Sequence, residues 1–171
     1  MDKNKTIRYA GLEDINTIGF LAHEIWPRTY GDILSPDQLE YMLHMLYSPE
    51  SLQDQMENKQ HSFLLVEDLD DEPVAFASFS PIEIPGVYKL HKIYVLASQQ
   101  GQGLGKSIID FVIHEINADG AKALRLNVNR NNKARIFYER LGFKVIYEED
   151  IDIGNGYFMN DFIMELELKA D

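Results

Sequence analysis

Apolar positions along this chain recur at two spacings, and the spacing in each stretch names its element. Thr6–Ala10 alternates as a first strand. Leu12 to Ile25 repeats apolar residues at Ile15, Ile18, Leu21, Ala22 and Ile25, the stripe of a helix. That helix is expected to break at Trp26-Pro27, because proline disfavours the helical conformation in the residue before it. Pro36 to Leu46 predicts a second helix, striped by Leu39, Met42, Leu43 and Leu46, with Ser35 as cap and proline in its first position. Ser48–Glu57 reads as a third helix or a turn.

His61–Glu67 and Pro73–Ser80 predict two strands joined by the acidic turn Asp68–Glu72, and Pro85-Gly86 marks another turn. Leu90–Leu96 reads as a buried strand and Ile108–Ile113 as a helix. From Leu124 the alternation returns as a strand. Asn131 or Asn132 then caps a helix striped by Ala134, Phe137, Tyr138 and Leu141, and Gly142 is placed to end it in a left-handed conformation. Phe143–Tyr147 is a sixth strand, Ile151–Gly156 a loop, and Tyr157–Leu168 a half-solvated last strand. The order β-α-α-β-β-β-α-β-α-β-β, with no repeat or linker, predicts one α/β domain spanning 1–171.

Between the strand at Leu90–Leu96 and the helix at Ile108 lies Gln100-Gly101-Gln102-Gly103-Leu104-Gly105-Lys106-Ser107. A glycine-rich turn there aims main-chain N–H groups at one point on a helix N-terminus, a site for phosphate oxygens. Without side chains, Gly101, Gly103 and Gly105 let an anion approach the backbone. The spacing excludes a P-loop, since Gln100 stands where its first glycine belongs. It also excludes the dinucleotide fingerprint, since one residue rather than two separates Gly103 from Gly105.

The pattern Gln100-x-x-Gly103-x-Gly105 resembles the pyrophosphate loop of the GCN5-related N-acetyltransferases, which use acetyl-CoA. Downstream, Asn132-x-Ala134-x-x-Phe137-Tyr138-x-x-Leu141-Gly142-Phe143 is similar to the second cofactor segment of that family, in the expected order. The resemblance implies a mixed, mainly antiparallel sheet with helices on both sides. It implies that Gln100, Gly101, Gln102, Gly103, Leu104, Gly105 and Lys106 hold the diphosphate of coenzyme A. Asn132, Arg135, Tyr138 and Arg140 are its implied partners in the second segment. Main-chain groups of Ile93, Tyr94 and Val95 should meet the pantetheine arm where this strand splays from the next.

Acetyl transfer to an amine needs a neutral nucleophile, donors for the carbonyl oxygen and a proton for the leaving thiolate. Tyr138 is the acid the resemblance implies; from periodicity alone it is a packed helix tyrosine. His91 is the candidate base, with a structural histidine as the plain alternative and Glu83 as a competitor. Glu24, Trp26, Tyr30 and Asp32 cluster around the expected helix break. They either wall a site for a protonated amine, through cation–π and ionic contacts, or simply pack the helices. Asp161, in the aromatic–acidic stretch Tyr157–Asp161, is a further acceptor-site candidate.

Charge adds a direction. Residues 89–144 hold ten Lys and Arg against four Asp and Glu, a charge of +6; the rest holds six against twenty-four, or −18. A polyanionic cofactor is steered to the first region, and the second favours a cationic acceptor or merely solubility. The total of −12 argues against nucleic acid as a partner. There are no cysteines, and the five histidines lack metal-site spacing. A polar start and the lack of a long apolar run point away from membranes and toward the cytoplasm. Glu24-Ile25-Trp26, Tyr30 and Phe158–Asp161 resemble segments of the PaiA-type polyamine acetyltransferases, so a small amine, polyamine-like, is favoured. A protein lysine or N-terminal acetyltransferase and a catalytically weak acyl-CoA sensor are the alternatives. A homodimer paired through the late strands is compatible with the resemblance.

Overall fold

The computed structural model describes residues 4–170. Its strands are β1 (Thr6–Tyr9), β2 (Ser62–Glu67), β3 (Pro73–Pro81), β4 (Val87–Val95), β5 (Ala123–Asn129), β6 (Lys144–Gly154) and β7 (Tyr157–Glu167). Its helices are α1 (Ile15–Tyr30), α2 (Pro36–Tyr47), α3 (Pro49–Glu57), α4 (Leu104–Ala118) and α5 (Ala134–Arg140). The seven strands form one sheet in the order β1-β2-β3-β4-β5-β7-β6. Only β4 and β5 pair in parallel, joined by the right length of chain for a helical crossover through α4.

The sheet is covered on both sides. On β2, Leu64 and Val66 join a core with Ile108, Ile109 and Val112 of α4, while Phe63 and Leu65 join Ile18, Leu21 and Trp26 of α1. Opposite faces of one strand therefore feed two cores, which explains the unbroken apolar run Phe63–Val66. Leu21 and Ile108 are fully buried. Each such side chain stabilises the fold by about 1.5–3 kcal/mol of removed apolar surface.

Two expectations are corrected. α1 does not end at Trp26-Pro27 but runs through to Tyr30. The proline removes one donor, and helix-interior proline costs about 3 kcal/mol. Against that, Trp26 is buried and its ring packs 4.6 Å from Tyr30 one turn later. Burying Trp26, worth about 1.5–3 kcal/mol, together with its packing on the half-buried Tyr30, offsets that cost and holds the turn.

The stretch Ile151–Gly154 is strand, not loop. Asn155 and Gly156, with φ of +56° and +80°, make a two-residue hairpin turn of the kind that suits the twist of antiparallel strands. Tyr41 then fastens the hairpin to α2 by donating from its hydroxyl to the Ile153 carbonyl at 2.6 Å. Among the described residues, no helix is long and apolar enough to cross a membrane.

Candidate active site

β4 organises the site through two departures from regular pairing. Its parallel ladder with β5 runs only from Val87–Ala123 to Leu90–Leu126. Beyond that point the strands part, and a cavity of about 810 Å³ opens between them. On its other side, β4 pairs Phe79 with Leu90 and Ser78 with Lys92, so His91 is an inserted residue, a β-bulge. Strict alternation would group His91 with Ile93 and Val95. Instead, Ile93 and Val95 pack on the α4 core, while His91 and Lys92 both line a second cavity on the α1–α3 side.

The larger cavity has a main-chain floor. Gly101 (φ +79°) and Gly103 (φ +76°) adopt the left-handed conformation that lets the turn reverse into α4. Gly103 caps that helix, and the amides from Gly101 to Lys106 find no main-chain acceptor. Gln100 ties the turn to the strand by donating to the Val95 carbonyl at 3.1 Å. At Gly105 a Cβ would stand 3.1 Å from the Phe137 ring, so the missing side chain admits α5 against α4. Around Gly103, by contrast, the space is open.

Ile93, Tyr94, Val95, Gln100, Gly101, Gly103, Leu104, Gly105, Asn132 and Tyr138 all line this cavity. Gln102, Lys106, Arg135 and Arg140 are not among its lining residues. Lys106 is exposed and pairs with Asp110 at 2.6 Å. Arg135 pairs with Glu139 at 3.2 Å and lies over the Phe162 ring. Arg140 is exposed at the end of α5. Asn132 accepts from the Ala134 amide at 2.9 Å, holding the entry to α5.

Tyr138 is buried on α5 against Phe137 and Phe143. Burial, with a smaller effect from Tyr30, raises its phenol well above the ordinary range. It therefore stays protonated at any working pH and can donate to a group of pKa about 8.5 such as a thiolate.

The smaller cavity, of about 340 Å³, adjoins the larger one, and Tyr30, His91, Lys92, Tyr94 and Asn127 line both. Its aromatic wall is Trp26, Tyr30, Tyr47 and Tyr94, with the Tyr30 and Tyr94 hydroxyls 2.8 Å apart. Glu24 is exposed and lines neither cavity, and Asp32 lies on the larger one. The expected group of Glu24, Trp26, Tyr30 and Asp32 is therefore not brought together. Running α1 through Pro27 turns Glu24 to the side away from Trp26. Asp161 does line the smaller cavity, 3% exposed, accepting from Asn127 at 3.3 Å. Burial pushes its carboxyl above the ordinary range.

His91 stacks on His61, rings 3.9 Å apart and 11° from parallel, and its Nε2 is 2.7 Å from the Ser80 hydroxyl. Burial, then the neighbouring His61 and lysines, hold it down to about 2 and His61 to about 4. An imidazole so placed is neutral at working pH and a weaker base than a free one. Glu83 is exposed in the β3–β4 connection and lines neither cavity. Among the described residues, no group of three or more His, Asp or Glu is placed to hold a metal.

Lys92, Tyr47, Gln55 and His61 were not foreseen as site residues. They come from β4, α2, α3 and the start of β2 and share no sequence pattern; only the bulge at His91 turns Lys92 toward them.

Unpaired amides of a glycine turn beside an opened strand pair suit a phosphate-bearing ligand with an extended arm. The family description Acetyltransferase (GNAT) domain matches residues 32–166. This chain belongs to the GNAT acetyltransferases. It is 28% identical over 168 residues, covering 96% of this chain and 98% of the relative, to the spermidine N(1)-acetyltransferase of Thermoplasma acidophilum. The crystal structure of the PaiA N-acetyltransferase from that organism, in complex with coenzyme A, superposes with a TM-score of 0.80 at 28% identity, over 96% of this chain and 99% of that one. A GCN5-related N-acetyltransferase from Rhodopseudomonas palustris shares the fold, with a TM-score of 0.82 at 20% identity over 97% of each chain. As a GNAT enzyme, the chain is an acetyl-CoA-dependent acetyltransferase. The free amides and the opened β4 edge fit that cofactor.

Proposed function

We propose that this GNAT domain, acting as one unit over 1–171 in the cytoplasm, acetylates the primary amine of a small molecule by direct attack in a ternary complex. The supporting observation is the junction of the two cavities on β4, with Tyr138 on the cofactor side and Asp161 on the other. Acetyl-CoA supplies the activated acyl group. The amides of 101–106 hold its diphosphate, and the open edge of β4 at Ile93–Val95 orients the arm and polarises the carbonyl. Tyr138 gives its proton to the departing sulfur. Asp161, with a carboxyl made more basic by burial, receives the amine's proton in preference to His91.

A cavity of about 340 Å³ supports a small acceptor over a protein segment. A spermidine-like acceptor is the reading supported by the name of the Thermoplasma relative and by the acidic exterior. CoA release measured with polyamines, amino acids, aminoglycosides and peptides tests the proposal. Turnover of a small amine is the expected outcome. Turnover of peptides alone would make this a protein acetyltransferase. Tight acetyl-CoA binding with no turnover would make it a sensor.

A further inference from the structure

Within the smaller cavity the side chains that remain unpaired are mostly donors. Lys92 is 7% exposed, and among the described residues it has no carboxylate partner. Its Nζ donates to Gln55 Oε1 at 2.6 Å and otherwise faces the Tyr47 and Phe63 rings at 5.7 and 5.6 Å. Gln55 cannot be reversed to suit another partner, because its Nε2 already donates to the Leu46 carbonyl and the Ser51 hydroxyl. Tyr47, 2% exposed, and Trp26, 3% exposed, each leave a polar atom without a partner in the same cavity. The indole N–H leans toward the Tyr47 oxygen, but an indole only donates. The Tyr47 proton therefore has no acceptor whichever way these two settle.

A buried lysine without an anion is costly whenever it is charged, and the buried hydroxyl beside it has no acceptor, so an anion placed between them would satisfy both. Water could satisfy the hydroxyl but would leave the charge unpaired. Gln55, Tyr47 and Phe63 line only the smaller cavity or neither, so the Lys92 ammonium stands away from the cofactor side. The cavity's one carboxylate, Asp161, is tied to Asn127, which borders both cavities. Lys89 also borders the cavity and its charge reaches Asp161, so the Lys92 end suits an anion and Asp161 is the one group there that can take an ammonium.

We propose that the acceptor is an amino-carboxylate, its carboxylate held by Lys92 and Tyr47 and its amine by Asp161 at the mouth of the cofactor cavity. This rests on the acetyltransferase reading and departs from the spermidine-like acceptor favoured by the relative's name, because a polyamine would bring a second cation to Lys92.

The test is calorimetric binding to the CoA-loaded full chain. The probes are the proteinogenic amino acids beside their carboxamides, and ω-amino acids beside diamines of matched length. At least one acid should bind about 10- to 100-fold tighter than its carboxamide or diamine counterpart, the range for a charge-assisted hydrogen bond. Lys92→Met should reduce that preference to less than about 3-fold while CoA affinity is kept, which also reports that the variant is folded. Carboxamides or diamines binding as well as the acids, no acid binding, or an undiminished preference in Lys92→Met would each overturn the proposal. CoA release with the tightest acid is a separate readout. Binding without turnover would leave the carboxylate site standing and remove the acetyltransferase reading.

Discussion

The two cavities that meet on β4 are made of different materials. The cofactor side is mostly backbone: amides of Gly101–Lys106 at the head of α4 and the unpaired edge of β4. The other side, where the acceptor is proposed to sit, is mostly side chains, gathered from α1, α2, α3, β4, β5 and β7, with Trp26, Tyr47, Gln55, Lys92 and Asp161 buried. A main-chain site needs particular residues only where the backbone must bend, so it leaves a compact mark such as Gln100-x-x-Gly103-x-Gly105. A side-chain site can draw each group from a different segment and leaves none. The first fits the cofactor that the family uses, and the second is where the proposed acceptor is chosen.

Breaking the backbone side should produce the largest effect. Gly103→Val puts a branched residue at φ +76° into the open space where the diphosphate is proposed to sit. Strain of about 1–3 kcal/mol and the displaced amides together should weaken acetyl-CoA binding by about 100-fold or more. Calorimetry that finds unchanged affinity would contradict the assigned loop.

Next in size, Tyr138→Phe removes a proton donor and leaves the packing intact. Turnover should fall by about 100-fold, with acetyl-CoA affinity within about 3-fold of the parent. An unaltered turnover number in steady-state kinetics would take Tyr138 out of the chemistry.

On the side-chain half, Lys92→Met should raise stability in urea unfolding, by about 1–4 kcal/mol at pH 7. Burial brings Lys92 down to about 7 from its ordinary 10.5. Between those values the unfolded chain binds the extra proton, so stability from this group is lowest below pH 7 and climbs as pH rises to 10.5. The methionine variant should lack that climb. A variant less stable than the parent would show that the ammonium helps hold the fold.

The smallest effect concerns the stacked histidines. His61 is held at about 4 and His91 at about 2 against an ordinary 6.5. As pH falls through 6.5 the unfolded chain takes up protons that the folded one refuses. Stability is therefore retained above 6.5 and lost progressively toward pH 4. Between pH 7 and 5.5 the loss should be on the order of 1 kcal/mol, and His61→Gln should reduce it. Unfolding curves that coincide at the two pH values would mean that the pair is solvated.

Much of the fold was open to reading because local rules act within a few residues of one another. Ser35 accepts from Gln38, Ser48 accepts from Ser51, and Gly142 is left-handed, each as its local sequence requires. The reading failed where distant contacts outweighed local preference. Trp26-Pro27 stayed helical because the buried Trp26 packs on Tyr30 across the proline. Ile151–Gly154 stayed extended because it pairs along β7 and is tied to Tyr41. Within the site, Tyr138 and the glycine turn could be located by motif. Lys92, Tyr47 and Gln55 could not, since nothing in their neighbourhoods marks them.

The sequence by itself determined the order of elements, the glycine turn and the family, because hydrophobic period and glycine placement are properties of contiguous residues. Only the tertiary structure decided which face of β4 carries His91 and Lys92, that Glu24 points away, and that the smaller cavity holds a buried lysine with no carboxylate partner among the described residues. A one-residue bulge reverses every side chain on one flank of a strand relative to the other, and it is fixed by pairing with β3, a contact between segments far apart in the chain.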